Sequence, residues 1–284
     1  HSWVMAYKHE LEAFEAYAKA MPNNCVFLVD TYDTLQGVRH AIEVAHSLKK
    51  SGHKLAGIRL DSGDLAYLSI QARKLLDEAG FQDANIVASN DLDEHIISSL
   101  KEQGAKINVW GVGTKLTTSF DQPALGGVYK LGCVKNEDEE WQHRIKLAEQ
   151  SAKVSVPGIL QVRRFFGKNK QGQELLLGDA IFDELSVAKS PWLIIDPMDY
   201  TRQKEFAAET QYEDLLVPIF RKGKKVYESP SIAEIRQHAS EQLDRFHPTI
   251  RRFVYPHEYP VGLESNLNGL RTDLILEARR EAST

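Results

Sequence analysis

Four short stretches of this chain, each directly behind an apolar run, gather the side chains that could hold and activate an anionic substrate: Asp30-Thr31-Tyr32-Asp33, Arg59-Leu60-Asp61-Ser62-Gly63-Asp64, Ser89-Asn90-Asp91 and Gly111-Val112-Gly113-Thr114-Lys115. If the residues before Asp61 are a strand, alternation puts Arg59 and Asp61 on one side and Leu60 on the other. A guanidinium there can clamp a carboxylate or lie on an aromatic ring, and the aspartate can accept hydrogen bonds from ribose hydroxyls; an internal Arg–Asp ion pair is the plainer alternative. Gly111 and Gly113 would let backbone N–H groups approach a phosphate, with Thr114 adding a hydroxyl and Lys115 a charge, or they serve only a tight turn. The third glycine of the dinucleotide fingerprint is absent, and Leu116 follows instead. Asp30 and Asp33 could orient a pyrophosphate or reach Mg²⁺ through water; Asp33 reads better as the N-cap of the following helix, leaving Asp30 with the polar role.

The elements that must position these loops are repeated. Cys25 to Val29, Leu55 to Leu60, Ile86 to Ala88 and Ile107 to Trp110 are short apolar runs, and helical stretches follow the first three, from about Leu35 to Lys50, to Ala79 and to Gln103. Consecutive βα units of this kind mean a buried parallel sheet, open or closed into a barrel, with ligands taken at the carboxyl ends of its strands. Residues 4 to 20 carry apolar side chains at three- and four-residue steps and read as one amphipathic helix. After Gly126 the pattern changes. Gly127 to Val134 and Leu160 to Phe166 alternate as antiparallel strands do, with a hairpin turn at Gly167 to Gln173. Ser186 to Tyr212 reads as irregular and polar, Leu215 to Phe220 as a strand, and Ser231 to Arg245 and Asn266 to Ala278 as helices.

Composition narrows the function classes. A net charge of -5 gives no broad basic face for nucleic acid, and with 42% hydrophobic residues no apolar run nears bilayer-spanning length, so neither nucleic acid nor membrane is an expected partner. The two cysteines, Cys25 and Cys133, fit buried free thiols of a cytoplasmic protein, with no disulfide or metal site. Histidines such as His40, His46, His95 and His238 read as residues of solvated helix faces or turns. The chain opens His1-Ser2-Trp3, with neither a basic n-region nor a signal-like apolar stretch, and reads as a segment of something longer.

In order and spacing, His1-Ser2-Trp3, Val29 to Leu35, Gly57 to Leu65, Ala88 to Glu94, Trp110 to Leu116, Gln122 to Leu131 and Tyr255 to Leu263 resemble the nicotinate phosphoribosyltransferases. The resemblance implies an α/β fold: an irregular, partial βα barrel of the type II phosphoribosyltransferase kind over residues 1–134, with a mixed α+β region, 135–284, packing on it. It implies attack of the nicotinate nitrogen on the anomeric carbon of phosphoribosyl pyrophosphate, yielding nicotinate mononucleotide and pyrophosphate for NAD synthesis. Carried over position by position, Arg59 meets nicotinate or the ribosyl phosphate and Asp61 the ribose hydroxyls. Ser89, Asn90, Gly111, Gly113 and Thr114 take the 5′-phosphate, with Ser2, Thr31, Ser62, Gly63 and Lys115 lining the site. His1-Ser2 matches the end of the family's Gly-Thr-x-x-His-Ser motif, whose histidine is phosphorylated by ATP, so ATP and Mg²⁺ are implied and no bound organic cofactor. Everything before that histidine is missing, so a half barrel with an unpaired parallel edge and an open apolar face is expected, inactive alone and dimeric when complete. The competing expectations are a non-catalytic fragment or subunit that completes another polypeptide, and another phosphosugar enzyme such as the quinolinate phosphoribosyltransferase. Leu60, between Arg59 and Asp61, favours nicotinate over nicotinamide.

Overall fold

A computed structural model describes residues 1–138, 140–186 and 191–281. The chain divides into two compact units, His1–Gly127 and Val128–Thr284.

The first unit runs α1 (Ser2–Met5), α2 (Glu10–Ala20), β1 (Cys25–Leu28), α3 (Thr34–Lys50), β2 (Leu55–Leu60), α4 (Leu65–Glu78), β3 (Asn85–Ala88), α5 (Glu94–Glu102), β4 (Val109–Trp110) and α6 (Thr114–Thr117). Its four strands pair in parallel in the order β1-β2-β3-β4, the curled half of a barrel. Helices α3, α4 and α5 start where an aspartate breaks the extended chain. Asp33, Asp64 and Asp93 each accept the backbone N–H three residues on, which satisfies one of a helix's orphan donors. Along the strands Phe27, Ile58, Leu60, Ile86 and Ala88 are fully buried and share the core with Val38, Ala41, Ala45, Ala72 and Leu76 from the helices. On the alternate face Val26, Leu28 and Val87 are only half buried and Val109 is exposed, so this face is open, as half a barrel requires.

The stretch expected as one helix over residues 4 to 20 is two. His9 adopts an extended conformation, φ -131° and ψ 141°, at the start of α2. The Trp3 indole N–H reaches back to the Ala13 carbonyl, folding the short α1 against α2.

The second unit holds a ribbon of β5 (Cys133–Lys135) and β6 (Trp141–His143), then β7 (Leu160–Lys168), β8 (Glu174–Asp183), β9 (Trp192–Ile195), β10 (Gln203–Phe206), β11 (Gln211–Asp214), a second ribbon of β12 (Phe220–Arg221) and β13 (Lys224–Lys225), α7 (Ile232–Asp244), α8 (Pro248–Arg251), β14 (Val261–Glu264) and α9 (Ser265–Glu281). Six strands form one sheet in the order β10-β9-β14-β8-β7-β11, with β14 parallel to β8 and antiparallel to β9. Phe165, Trp192 and Phe206 fill its core; the Phe165 and Phe206 rings stack at 4.0 Å. Serine 231 and Glu234 close a reciprocal capping box at the start of α7.

Several expectations for this unit are corrected. Ser186 to Tyr212, read as irregular, contains β9 and β10, whose Trp192, Ile194 and Phe206 are buried; residues 187–190 lie outside the described residues. Leu215 to Phe220 is not a strand. There the Gln161 side-chain amide takes both the N–H and the carbonyl of Leu216, standing in for a ladder partner. Of Gly127 to Val134 only Cys133 and Val134 join a strand. His40 and His143 do not sit on solvated faces: each binds a buried carboxylate at 2.7 Å, Glu10 and Asp183 respectively. Both cysteines are free; Cys25 is buried and Cys133 half buried. No helix among the described residues is long and apolar enough to cross a membrane.

Candidate active site

In the parallel sheet, Leu28 pairs with Arg59, Leu60 with Ala88, and Ala88 with Trp110. Continued one or two residues past the strand ends, this register sets Asp30, Asp61, Ser89 and Gly111 side by side on the open face, because each follows a core-facing residue in a period of two. Arg59 lies on that face two residues before Asp61.

The side chains are linked into one network. The Arg59 Nε donates to Ser89 Oγ at 2.8 Å and its Nη2 to Asp61 Oδ1 at 3.1 Å. Ser89 also donates to the same Asp61 oxygen. Asp30 Oδ2 accepts from the Asp61 backbone N–H at 3.0 Å and from Ser62 Oγ at 2.5 Å, fixing the second loop against the first. His1 closes the circle: Nδ1 is 3.1 Å from Thr31 Oγ1, and Nε2 faces Asp30 Oδ1 at 4.0 Å and Asp61 Oδ2 at 3.8 Å. The Arg59–Asp61 ion pair does form, yet 45% of the Arg59 side chain stays exposed on the open face and can still meet a ligand.

One atom is unexplained by the protein alone. The Asp30 side chain is 1% exposed, and its Oδ1 is buried with no hydrogen-bond partner. A buried carboxylate oxygen left so costs about 1 to 3 kcal/mol unless something binds it. Mg²⁺ suits such a place, since it commonly takes one or two carboxylates and fills its remaining positions with water and phosphate oxygens. The described residues contain no group of three or more ligands that could cage a metal by themselves.

The loops after β3 and β4 have the following geometry. Asn90 and Asp91 both have positive φ, 95° and 47°, turning the chain sharply after β3. Gly111 donates its N–H to the Ala88 carbonyl, and a Cβ on it would lie 3.3 Å from Ser89 Cβ, so a side chain would crowd the serine. Gly113 heads α6, which no side chain caps, with Thr114 its exposed first residue. Lys115 points elsewhere: its ammonium is 3.8 Å from Asp93 and 3.8 Å from the centre of the Phe120 ring. Its charge thus lies beside the start of α5. Ser2 and Gly63 are exposed, Gly63 in a left-handed turn at φ 77°. Sequence reasoning missed the Glu10–His40 pair, which spans two helices and leaves no local signal.

Residues 160–271 match the profile of the nicotinate phosphoribosyltransferase C-terminal domain. The chain is 45% identical over 271 residues to nicotinate phosphoribosyltransferase of Bacillus subtilis, covering 94% of this chain and 54% of that protein. Over nearly its whole length the chain is thus similar to the nicotinate phosphoribosyltransferases, matching their C-terminal part. The human nicotinate phosphoribosyltransferase is 33% identical over 279 residues. The crystal structure of human nicotinic acid phosphoribosyltransferase superposes with a TM-score of 0.72 at 30% identity, over 94% of this chain and 50% of that one. The chain thus spans about half the length of the curated relatives it matches.

Proposed function

We propose that this chain carries the ribosyl-phosphate and phosphoryl-acceptor side of a nicotinate phosphoribosyltransferase site. The observation that supports this most directly is the single row of Asp30, Asp61, Ser89 and Gly111 at the strand ends, with Arg59 and His1 bound into it. In this reading Asp61 accepts from the ribose hydroxyls, and Ser89, Asn90, Gly111, Gly113 and Thr114 hold the 5′-phosphate. Arg59 meets the nicotinate carboxylate or the ribosyl phosphate. The pyridine nitrogen forms its bond to the anomeric carbon as the bond to pyrophosphate breaks and its electron pair leaves with the pyrophosphate oxygen. Positioning and stabilisation of that leaving charge supply most of the rate. Mg²⁺ held at Asp30 Oδ1 and Asp61 would neutralise pyrophosphate charge.

His1 is the phosphoryl acceptor from ATP in the same reading. Nε2 faces two carboxylates and Nδ1 lies within hydrogen-bond reach of Thr31, so the tautomer with its proton on Nε2 would leave the Nδ1 lone pair to take the phosphoryl group. Attack by Nδ1 on the terminal phosphorus would expel ADP. The complete protein is read as a cytoplasmic homodimer acting in NAD synthesis.

The test is calorimetric titration of the chain with phosphoribosyl pyrophosphate and Mg²⁺. Asp61→Asn and Ser89→Ala should each weaken binding about tenfold, the scale of a lost charged hydrogen bond, whereas Asp214→Asn should leave it unchanged. Equal binding by all three would overturn the assignment. Comparing nicotinate, nicotinamide and quinolinate in a mixture with the preceding residues of the Bacillus subtilis relative separates the quinolinate reading, and no turnover with any of them favours a non-catalytic subunit.

A further inference from the structure

The second unit holds a half-buried lysine that no acid neutralises. Lys204 lies on β10, the edge strand of the six-stranded sheet, where alternation turns it to the same side as the buried Phe206. Its Nζ donates to the Leu177 carbonyl of β8 at 2.6 Å and lies 5.4 Å from the centre of the Phe206 ring. Among the described residues it forms no ion pair. Burial with nothing to offset it holds the ammonium below the usual lysine range. The residue lines two cavities, of about 690 and 300 Å³, that have Lys204, Glu258, Tyr259 and Pro260 in common. Both volumes suit a small molecule.

The charges around the larger cavity decide what it takes. Its wall carries Arg202 and Lys204 against Asp196 and Glu258, and an incoming anion would meet both carboxylates. Arg202 is already engaged: Glu258 pairs with it, and Asp196 lies 4.0 Å away. The Tyr259 hydroxyl donates to Asp179 at 2.8 Å. What remains is the amine, with the apolar side chains of Ile194, Pro260 and Val261 on the same wall. A neutral electrophile suits this setting, because an amine kept from water holds less tightly the proton that blocks its lone pair.

We propose that Lys204 is a covalent capture site for small neutral aldehydes. Nζ forms its bond to the carbonyl carbon. Two of the three ammonium protons leave with the carbonyl oxygen as water, and the third stays on the protonated imine, where it still donates to the Leu177 carbonyl. The site belongs wholly to the second unit and stands whether or not the strand-end residues bind phosphoribosyl pyrophosphate.

The experiment is reductive alkylation of the whole chain near neutral pH. Benzaldehyde is the probe, cyanoborohydride reduces the imine to a stable secondary amine, and peptide mapping by mass follows each lysine with time. Lys204 should be alkylated at least about fivefold faster than Lys170, an exposed lysine in the turn between β7 and β8, because burial leaves it a larger unprotonated fraction. Formaldehyde, which needs no cavity, should show a clearly smaller preference for Lys204. Lys204→Met should lose the fast adduct and leave the rate at Lys170 unchanged. Inorganic phosphate should give Lys204 no protection. Alkylation of Lys204 no faster than that of Lys170 in the unaltered chain would overturn the proposal, and this comparison needs no variant to fold. Equal preference with the two aldehydes would also overturn it, since the amine would then be reactive without a binding cavity. Protection by phosphate would mark an anion site instead.

Discussion

Replacing a helical glycine by alanine should have opposite effects at two places in this chain. Alanine in a helix interior gains about 1 kcal/mol over glycine through reduced backbone entropy. In α9 a Cβ at Gly269 meets nothing within 4 Å, so Gly269→Ala should realise that gain. In α3 a Cβ at Gly37 would lie 2.1 Å from the Val29 carbonyl oxygen, 2.9 Å from its carbon and 3.0 Å from its Cα. The obstacle is strand-end backbone, which cannot swing aside as a side chain can. Overpacking costs about 1 to 3 kcal/mol, and here the helix must retreat by roughly an ångström, so the upper end applies and Gly37→Ala should lose about 2 kcal/mol net. Val29 precedes Asp30, so the same retreat should disturb the His1 network. Urea titration followed by hydrogen exchange, read separately over Cys25–Leu28 and over Trp192–Ile195, assigns each change to its unit. Equal or greater stability for Gly37→Ala, with unchanged exchange around Asp30, would refute the claim that α3 is packed backbone to backbone against β1.

Other outcomes follow from the same geometry. Asp183 is fully buried and accepts from His143 and from the Ile159 and Leu185 N–H groups, so Asp183→Ala should cost the second unit about 3 to 5 kcal/mol in urea unfolding; a loss under about 1 kcal/mol would show that the contacts are dispensable. The Ile96 N–H, with help from Lys115, holds the Asp93 carboxyl below its usual value. Its stabilisation of α5 is therefore present above pH of about 4 and lost as pH falls through the lowered value, and exchange of the Ile96 amide should show this in the native chain but not in Asp93→Asn. Burial raises the Cys25 thiol, which donates to the Met21 carbonyl, so a thiol reagent should label Cys133 first and Cys25 only on unfolding; equal rates would contradict the placement of β1.

The site was legible where chemistry and period coincide. Asp30, Asp61, Ser89 and Gly111 each end a short apolar run, and a period of two then fixes which face they share. The aspartate caps were legible for the same local reason. The ion pair of Lys115 was not legible, because its partner Asp93 comes from the preceding βα unit. The Glu10–His40 pair, β9 and β10, and the Gln161 staple on Leu216 depend on contacts between distant residues, of which short windows carry no trace. The break between α1 and α2 was hidden because apolar spacing continues through it.

The placement of β14 bears on how the second unit is made. Val261–Glu264 is the last strand among the described residues, yet it lies in the middle of the six-stranded sheet, joining β9 and β10 to β8, β7 and β11. During synthesis the earlier strands can form only two separate pieces, each with an unpaired inner edge, until these four residues arrive to bridge them. Completion of this unit thus waits until β14 has been synthesised, and a chain stopped short of Val261 would present those inner edges to its neighbours.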